Sequence, residues 1–177
     1  MSDGAISVGE SVPNFTAPLV RPDGETTETA LSTLLEDDPV LLSFYTADFS
    51  PDCIEEWCAF RDFDWFASGG QVQVVGVSKS RTRIHRQFID RLDLGFPLFS
   101  DRNLAISKAF GVKYRVFGLI ARSKRSCFLV DTDGVVRYVW VGEHRLDPTL
   151  DTPPVSEVYE AVTEELGLDE SESFGFS

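Results

Sequence analysis

The chain has 177 residues, 42% of them apolar, which is enough for one substantial core and argues for one domain over two. Its formal charge of −13, from 29 acidic and 16 basic side chains, argues against nucleic acid or an anionic membrane as partner, because both recruit clustered Lys and Arg. No apolar run approaches membrane-spanning length, and Met1-Ser2-Asp3-Gly4 opens no hydrophobic secretion signal, so the expected location is the cytoplasm. Acidic groups spread from Asp3 to Glu172 suit a solvated surface in a salty cytoplasm, where screening relieves self-repulsion.

Taken in chain order, Phe15 to Val20 and Glu25 to Thr29 flank the turn sequence Arg21-Pro22-Asp23-Gly24, which predicts an N-terminal β-hairpin. A short helix follows, ending near Asp37-Asp38-Pro39. The apolar runs Val40 to Tyr45 and Val72 to Ser78 read as buried strands, and the stretch from about Asp52 to Ala67 between them as a helix stopped by Ser68-Gly69-Gly70. That order makes a β-α-β unit.

Ile84, Phe88 and Leu92 share one face of a predicted helix over Thr82 to Leu92, and a shorter helix covers Leu104 to Phe110, ended by Gly111. Ser126 to Val130 and Val135 to Val141 form a hairpin across Asp131-Thr132-Asp133-Gly134, and an amphipathic helix from Pro154 to Leu166 covers a sheet face. The expected fold is α/β, a central mixed β-sheet with helices on both faces. Residues 1–166 form the single domain, and 167–177 an acidic, mobile tail.

Three cysteines in a reducing compartment cannot all pair, which favours redox or catalytic use over a permanent disulfide. Cys127 lies in an apolar strand and reads as a buried packing group. Cys53 falls where a strand gives way to a helix, behind Ser50-Pro51, so unpaired N–H groups and the helix dipole favour its thiolate. One helix end supplies about 0.3 to 2 kcal/mol, whereas bringing a thiol from its usual pKa of about 8.5 to about 6 takes roughly 3.4 kcal/mol, so a cation is needed as well. Arg125, just before the Cys127 strand, is the candidate.

Cys58 follows five residues later as the partner for an oxidised Cys53. On an intact helix that step leaves the Cα atoms roughly 8 to 9 Å apart. A disulfide requires about 4.4 to 6.8 Å, so pairing demands local unwinding. Metal-ligand spacing is absent, and His85 and His144 are the only histidines, so no metal or cofactor is expected. His85 reads as a surface group without a partner. The aromatic residues Trp57, Phe60, Phe63, Trp65 and Phe66 read as packing groups. A thiol that reacts and then waits for a second thiol suits peroxide reduction through a sulfenic acid.

The segment Asp48-Phe49-Ser50-Pro51-Asp52-Cys53-Ile54-Glu55-Glu56-Trp57-Cys58-Ala59-Phe60-Arg61-Asp62 resembles the active-site loop and helix of the peroxiredoxins, in particular the subgroup similar to bacterioferritin comigratory protein. Val12-Pro13-Asn14-Phe15, Gly76-Val77-Ser78, Phe96-Pro97-Leu98-Phe99-Ser100-Asp101, Lys108-Ala109-Phe110-Gly111-Val112 and Arg125 to Asp131 extend the resemblance over nearly the whole chain. It implies a thioredoxin-like fold, with Cys53 as peroxidatic thiol and Cys58 as resolving thiol. It also implies that the Ser50 hydroxyl orients bound peroxide, that Arg125 supports the thiolate and the departing oxygen, and that Glu56 holds an arginine in place.

Thr46 stands where the family carries a proline. The exchange either loosens the loop or adds a hydroxyl at the pocket. The resemblance further implies reduction of hydrogen peroxide and organic hydroperoxides, recycling by a thioredoxin-like or other dithiol reductant, and a monomer or weak homodimer. Two other readings stay open at this level: a general thiol–disulfide oxidoreductase, although such proteins usually place two residues between their cysteines, and a redox-responsive binding or chaperone module with weak peroxidase activity.

Overall fold

The computed structural model describes residues 5–46, 48–49, 51–63, 71–116, 118–142 and 154–167. Strands β1 (Thr16–Val20) and β2 (Thr26–Ala30) form the expected hairpin, followed by the one-turn helix α1 (Leu31–Leu34). Gly24 adopts φ 89° in the connecting turn and donates its N–H to the Arg21 carbonyl at 2.8 Å. That conformation strains any residue with a Cβ.

Next come β3 (Val40–Phe44), α2 (Pro51–Asp62), β4 (Gln73–Ser78), α3 (Thr82–Leu92), β5 (Leu98–Ser100) and α4 (Ala105–Ala109). A small hairpin of β6 (Lys113–Val116) and β7 (Ile120–Ser123) precedes β8 (Ser126–Val130), β9 (Val136–Val141) and the final helix α5 (Val155–Glu165).

Seven of these strands make one mixed sheet in the order β2-β1-β5-β4-β3-β8-β9. The centre, β3 with β4 and β4 with β5, is parallel; β8 runs antiparallel to both β3 and β9. Parallel pairing requires crossover connections, and α2 and α3 are those crossovers. The sheet is accordingly buried on both faces.

Alternation along β3 sorts the core. Val40, Leu42 and Phe44 pack with Phe128, Val75, Ile106, Phe110 and Leu31 on the side of α1 and α4. Leu41 and Tyr45 turn to the other side, with Cys53, Trp57, Phe60, Phe88, Cys127, Val158 and Val162 from α2, α3, β8 and α5. The expected architecture, a central mixed sheet with helices on both faces and the N-terminal hairpin extending one sheet edge, is thus present.

Three strands were not anticipated. Leu98–Ser100 is only three residues long, too short to register as a periodic run, yet it joins the N-terminal hairpin to the parallel centre. The β6–β7 hairpin is rich in Lys, Arg and Tyr and has no apolar alternation to reveal it. The predicted helix Asp52–Ala67 is observed as Pro51–Asp62; residues 64–67 lie outside the described residues, as does the expected tail beyond Gly167. Among the described residues, no helix is long and apolar enough to cross a membrane.

Candidate active site

Helix α2 starts at Pro51, whose fixed φ and missing N–H suit the first helical position. Cys53 is the third residue of that helix and is fully buried against the sheet. Antiparallel pairing of β3 with β8 sets Phe44 opposite Ser126, and the same register carries Arg125 to the C-terminal end of β3, above the start of α2.

Arg125 is 1% exposed, and its guanidinium reaches both Cys53 and Glu56. Its Nη2 lies 3.0 Å from the Cys53 Sγ, and its Nη1 donates to the Glu56 Oε1 at 2.7 Å. Glu56 stands three residues after Cys53, so both face the same side of α2. The Ser43 hydroxyl donates to the Glu56 Oε2 at 2.9 Å and lies 3.6 Å from the Cys127 Sγ, its cross-strand neighbour.

The Thr46 Oγ1 is 3.4 Å from the Cys53 Sγ. A thiolate only accepts, so in the ionised state the Thr46 hydroxyl is the donor. Cys53 therefore has two donors converging on its sulfur, one of them cationic, in a site closed to bulk water.

Burial pushes the Glu56 carboxyl up to about 7, although the Arg125 charge and the Ser43 hydroxyl pull it back. Burial works against the Arg125 cation, but Cys53 and Glu56 more than offset it and the guanidinium is held above its ordinary value. Burial, reinforced by the Glu56 charge, drives the Cys127 thiol far up, leaving it an inert packing group as its strand position implied.

All three cysteines are free thiols. Cys58 is partly exposed and lies on the same continuous helix as Cys53, five residues on. The sequence-derived Cα spacing of roughly 8 to 9 Å therefore applies, and a bond between the two sulfurs requires α2 to unwind. Trp57 and Phe60 are core groups, as expected. Ser50, Trp65, Phe66 and His144 lie outside the described residues.

Gly76 of β4 makes the close seat for α2: a Cβ there would stand 2.6 Å from the Leu98 Cδ2 and 2.7 Å from the Trp57 Cζ2. The indole Nε1 of Trp57 is buried without a hydrogen-bond partner among the described residues.

The reading of His85 as a partnerless surface group is overturned. His85 is fully buried, its Nδ1 2.6 Å from the Asp48 Oδ2 and its Nε2 3.1 Å from the Phe99 carbonyl oxygen. The face of α3 that packs inward centres on His85, Phe88 and Ile89, with Ile84 and Leu92 at its margins. The i, i+3, i+4 spacing of these three was available in the sequence, but counting histidine as polar hid it.

The AhpC/TSA family profile matches residues 8–139 of the chain. A wheat (Triticum aestivum) protein named peroxiredoxin Q, chloroplastic, is 34% identical over 138 residues, spanning 77% of this chain and 60% of the wheat protein. The crystal structure of peroxidoxin BcpB from Mycobacterium tuberculosis superposes with a TM-score of 0.74 at 30% identity, covering 93% of this chain and 99% of that one. The mitochondrial 2-cys peroxiredoxin of Plasmodium falciparum gives a TM-score of 0.76 at 25% identity, covering 94% and 98%.

A buried cysteine thiol met by an arginine on a thioredoxin-like sheet defines the class, a thiol-dependent peroxidase. The chain belongs to the AhpC/TSA family and is a peroxiredoxin.

Proposed function

We propose that Cys53 is the thiol that attacks peroxide and Cys58 the thiol that resolves the product. The Cys53 thiolate attacks one peroxide oxygen, the O–O bond breaks, and the departing oxygen takes up a proton to leave as water or an alcohol. Cys53 is then a sulfenic acid. After α2 unwinds, Cys58 attacks that sulfur and water leaves, giving a Cys53–Cys58 disulfide. A thioredoxin-like or other dithiol donor restores both thiols by exchange and is itself oxidised.

The observation that carries this reading is the 3.0 Å contact between the Arg125 Nη2 and the Cys53 Sγ, braced by Glu56 at 2.7 Å on the other arm. A guanidinium fixed at both ends stabilises the thiolate and the negative charge that builds on the departing oxygen at no reorganisation cost. The Thr46 hydroxyl, 3.4 Å from the sulfur, serves as a second donor where the family's proline would offer none, and Ser50 as the hydroxyl that orients the peroxide. Hydrogen peroxide and organic hydroperoxides are the proposed substrates.

Mixing reduced protein with hydrogen peroxide in a stopped-flow instrument tests the assignment. Cys53→Ser is expected to abolish the fast reaction and Cys58→Ser to retain it for one turnover. A Cys53→Ser variant as fast as the wild type would end the assignment.

A further inference from the structure

Between β3 and α2 the chain is pinned by a second buried polar cluster, centred on Asp48. The Tyr45 phenol donates to the Asp48 Oδ1 at 2.5 Å, with the Ser78 hydroxyl more distant at 3.5 Å. The Asp48 backbone N–H donates to the Ser80 Oγ at 3.0 Å, and the Ser100 hydroxyl donates to the Ser80 carbonyl at 2.7 Å. Phe49, next in the chain, adopts φ 67°, a left-handed conformation that is strained for a residue with a Cβ, and its ring packs on Phe88 at 5.2 Å. Strain of that kind persists only where neighbouring contacts over-determine it, and the Asp48 cluster supplies them.

His85 bridges two parts of the chain. A carbonyl oxygen only accepts, so the Nε2 facing Phe99 of β5 is a donor. The Nδ1 stands 2.6 Å from the Asp48 Oδ2, on the carboxyl whose Oδ1 accepts from Tyr45. The ring therefore ties the loop after β3 to β5 from the buried face of α3.

We propose that His85 is a positioning residue whose bridge from the Phe99 carbonyl to Asp48 holds the loop bearing Thr46 against Cys53, so that breaking the bridge slows peroxide attack. This rests on Cys53 being the peroxide-reactive thiol. Among the described residues, the ionisable group facing the pair is the Tyr45 phenol beside the end of β3, which in turn feels the charge of Cys53 on α2. β4 contributes the Ser78 hydroxyl and β5 the Phe99 carbonyl, while Arg81 and Arg86 on the α3 side are exposed. The phenol is held well above its ordinary range by burial and then by the Asp48 charge, so it remains a donor throughout.

The test measures the rate of reduced protein with hydrogen peroxide at neutral pH, alongside thiolate absorbance, in the wild type, in His85→Leu and in His85→Gln, whose amide can still donate to Asp48. His85→Leu is expected to lose about tenfold to a hundredfold in rate from imperfect seating of the loop, while its thiolate absorbance stays level. His85→Gln is expected to recover part of that loss. A His85→Leu variant as fast as the wild type, or a His85→Gln variant no faster than His85→Leu, overturns the proposal. Should His85→Leu fail to fold, His85→Gln decides: a slower rate at unchanged thiolate absorbance is expected, and a wild-type rate refutes it. A wild type inert to peroxide would instead defeat the assignment of Cys53, and the role of His85 with it.

Discussion

Two of the contacts that replacing Arg125 with alanine removes have different consequences. The 3.0 Å contact to the Cys53 Sγ is a hydrogen bond from a charged donor, of a kind that contributes about 1.5 to 3 kcal/mol. Its loss predicts a peroxide rate constant lower by about tenfold to 150-fold, with less thiolate absorbance at neutral pH. The 2.7 Å contact to Glu56 is one half of a buried ion pair, and breaking such a pair costs about 3 to 5 kcal/mol because the remaining charge is stranded.

Glu56 escapes that cost by keeping a proton. Without Arg125 to pull it down, its carboxyl, already pushed up to about 7, rises further. The native state then holds a proton that the unfolded chain releases, so the stability lost in Arg125→Ala is smaller in acid and grows as pH rises. Stopped-flow kinetics measures the first effect and urea unfolding at several pH values the second. The double variant R125M/E56L separates them: it is expected to regain stability, both charges having gone, without regaining rate. Arg125→Ala reacting within about threefold of the wild type would refute the reasoning, since a charged hydrogen bond to the reacting sulfur cannot be worth so little.

Other consequences follow from the same geometry. Cys58→Ser is expected to consume about one equivalent of peroxide per chain and then stop, with Cys53 trapped as a sulfenic acid by a dimedone-type reagent; continued turnover on a dithiol donor would remove the resolving role. Gly76→Ala is expected to cost about 1 to 3 kcal/mol in urea unfolding, because its Cβ would meet the Leu98 Cδ2 at 2.6 Å and the Trp57 Cζ2 at 2.7 Å; a neutral effect would mean that α2 lies less tightly on β4. In the wild type Glu56 moves from an ordinary value of 4.5 to about 7, so its contribution to stability is fully present in acid and is lost as pH rises through that window. Glu56→Gln flattens that part of the stability profile, and a profile identical to the wild type would show that another group titrates there.

The sequence was most legible where periodicity and chemistry agreed. Val40 to Phe44 and Gln73 to Ser78 are near-continuous apolar runs, the signature of strands buried on both faces, and they flank the helix that carries Cys53 and Cys58. The pairing of Arg125 with Cys53 follows from the need for a cation beyond what one helix end supplies, and its contact with Glu56 from the family resemblance alone; β8 brings that cation over the start of α2. What escaped were features that depend on tertiary register. The three residues of β5 become a strand only because β1 and β4 lie on either side. The proximity of Ser43 to Cys127 comes from β3–β8 pairing across 84 positions of chain, and its contact with Glu56 from the packing of α2 over β3. His85 meets Asp48 because α3 packs over the loop after β3, a contact between residues 37 apart. No local pattern encodes these meetings.

The central claim concerns which sulfurs react, and one measurement reaches it directly. Reduced protein is treated with one equivalent of hydrogen peroxide, the remaining thiols are blocked, and peptides are mapped by mass without reduction. A bond joining Cys53 to Cys58, with Cys127 recovered as a blocked thiol, is the predicted result; an unmodified Cys53, or oxidation that falls on Cys127, would contradict it.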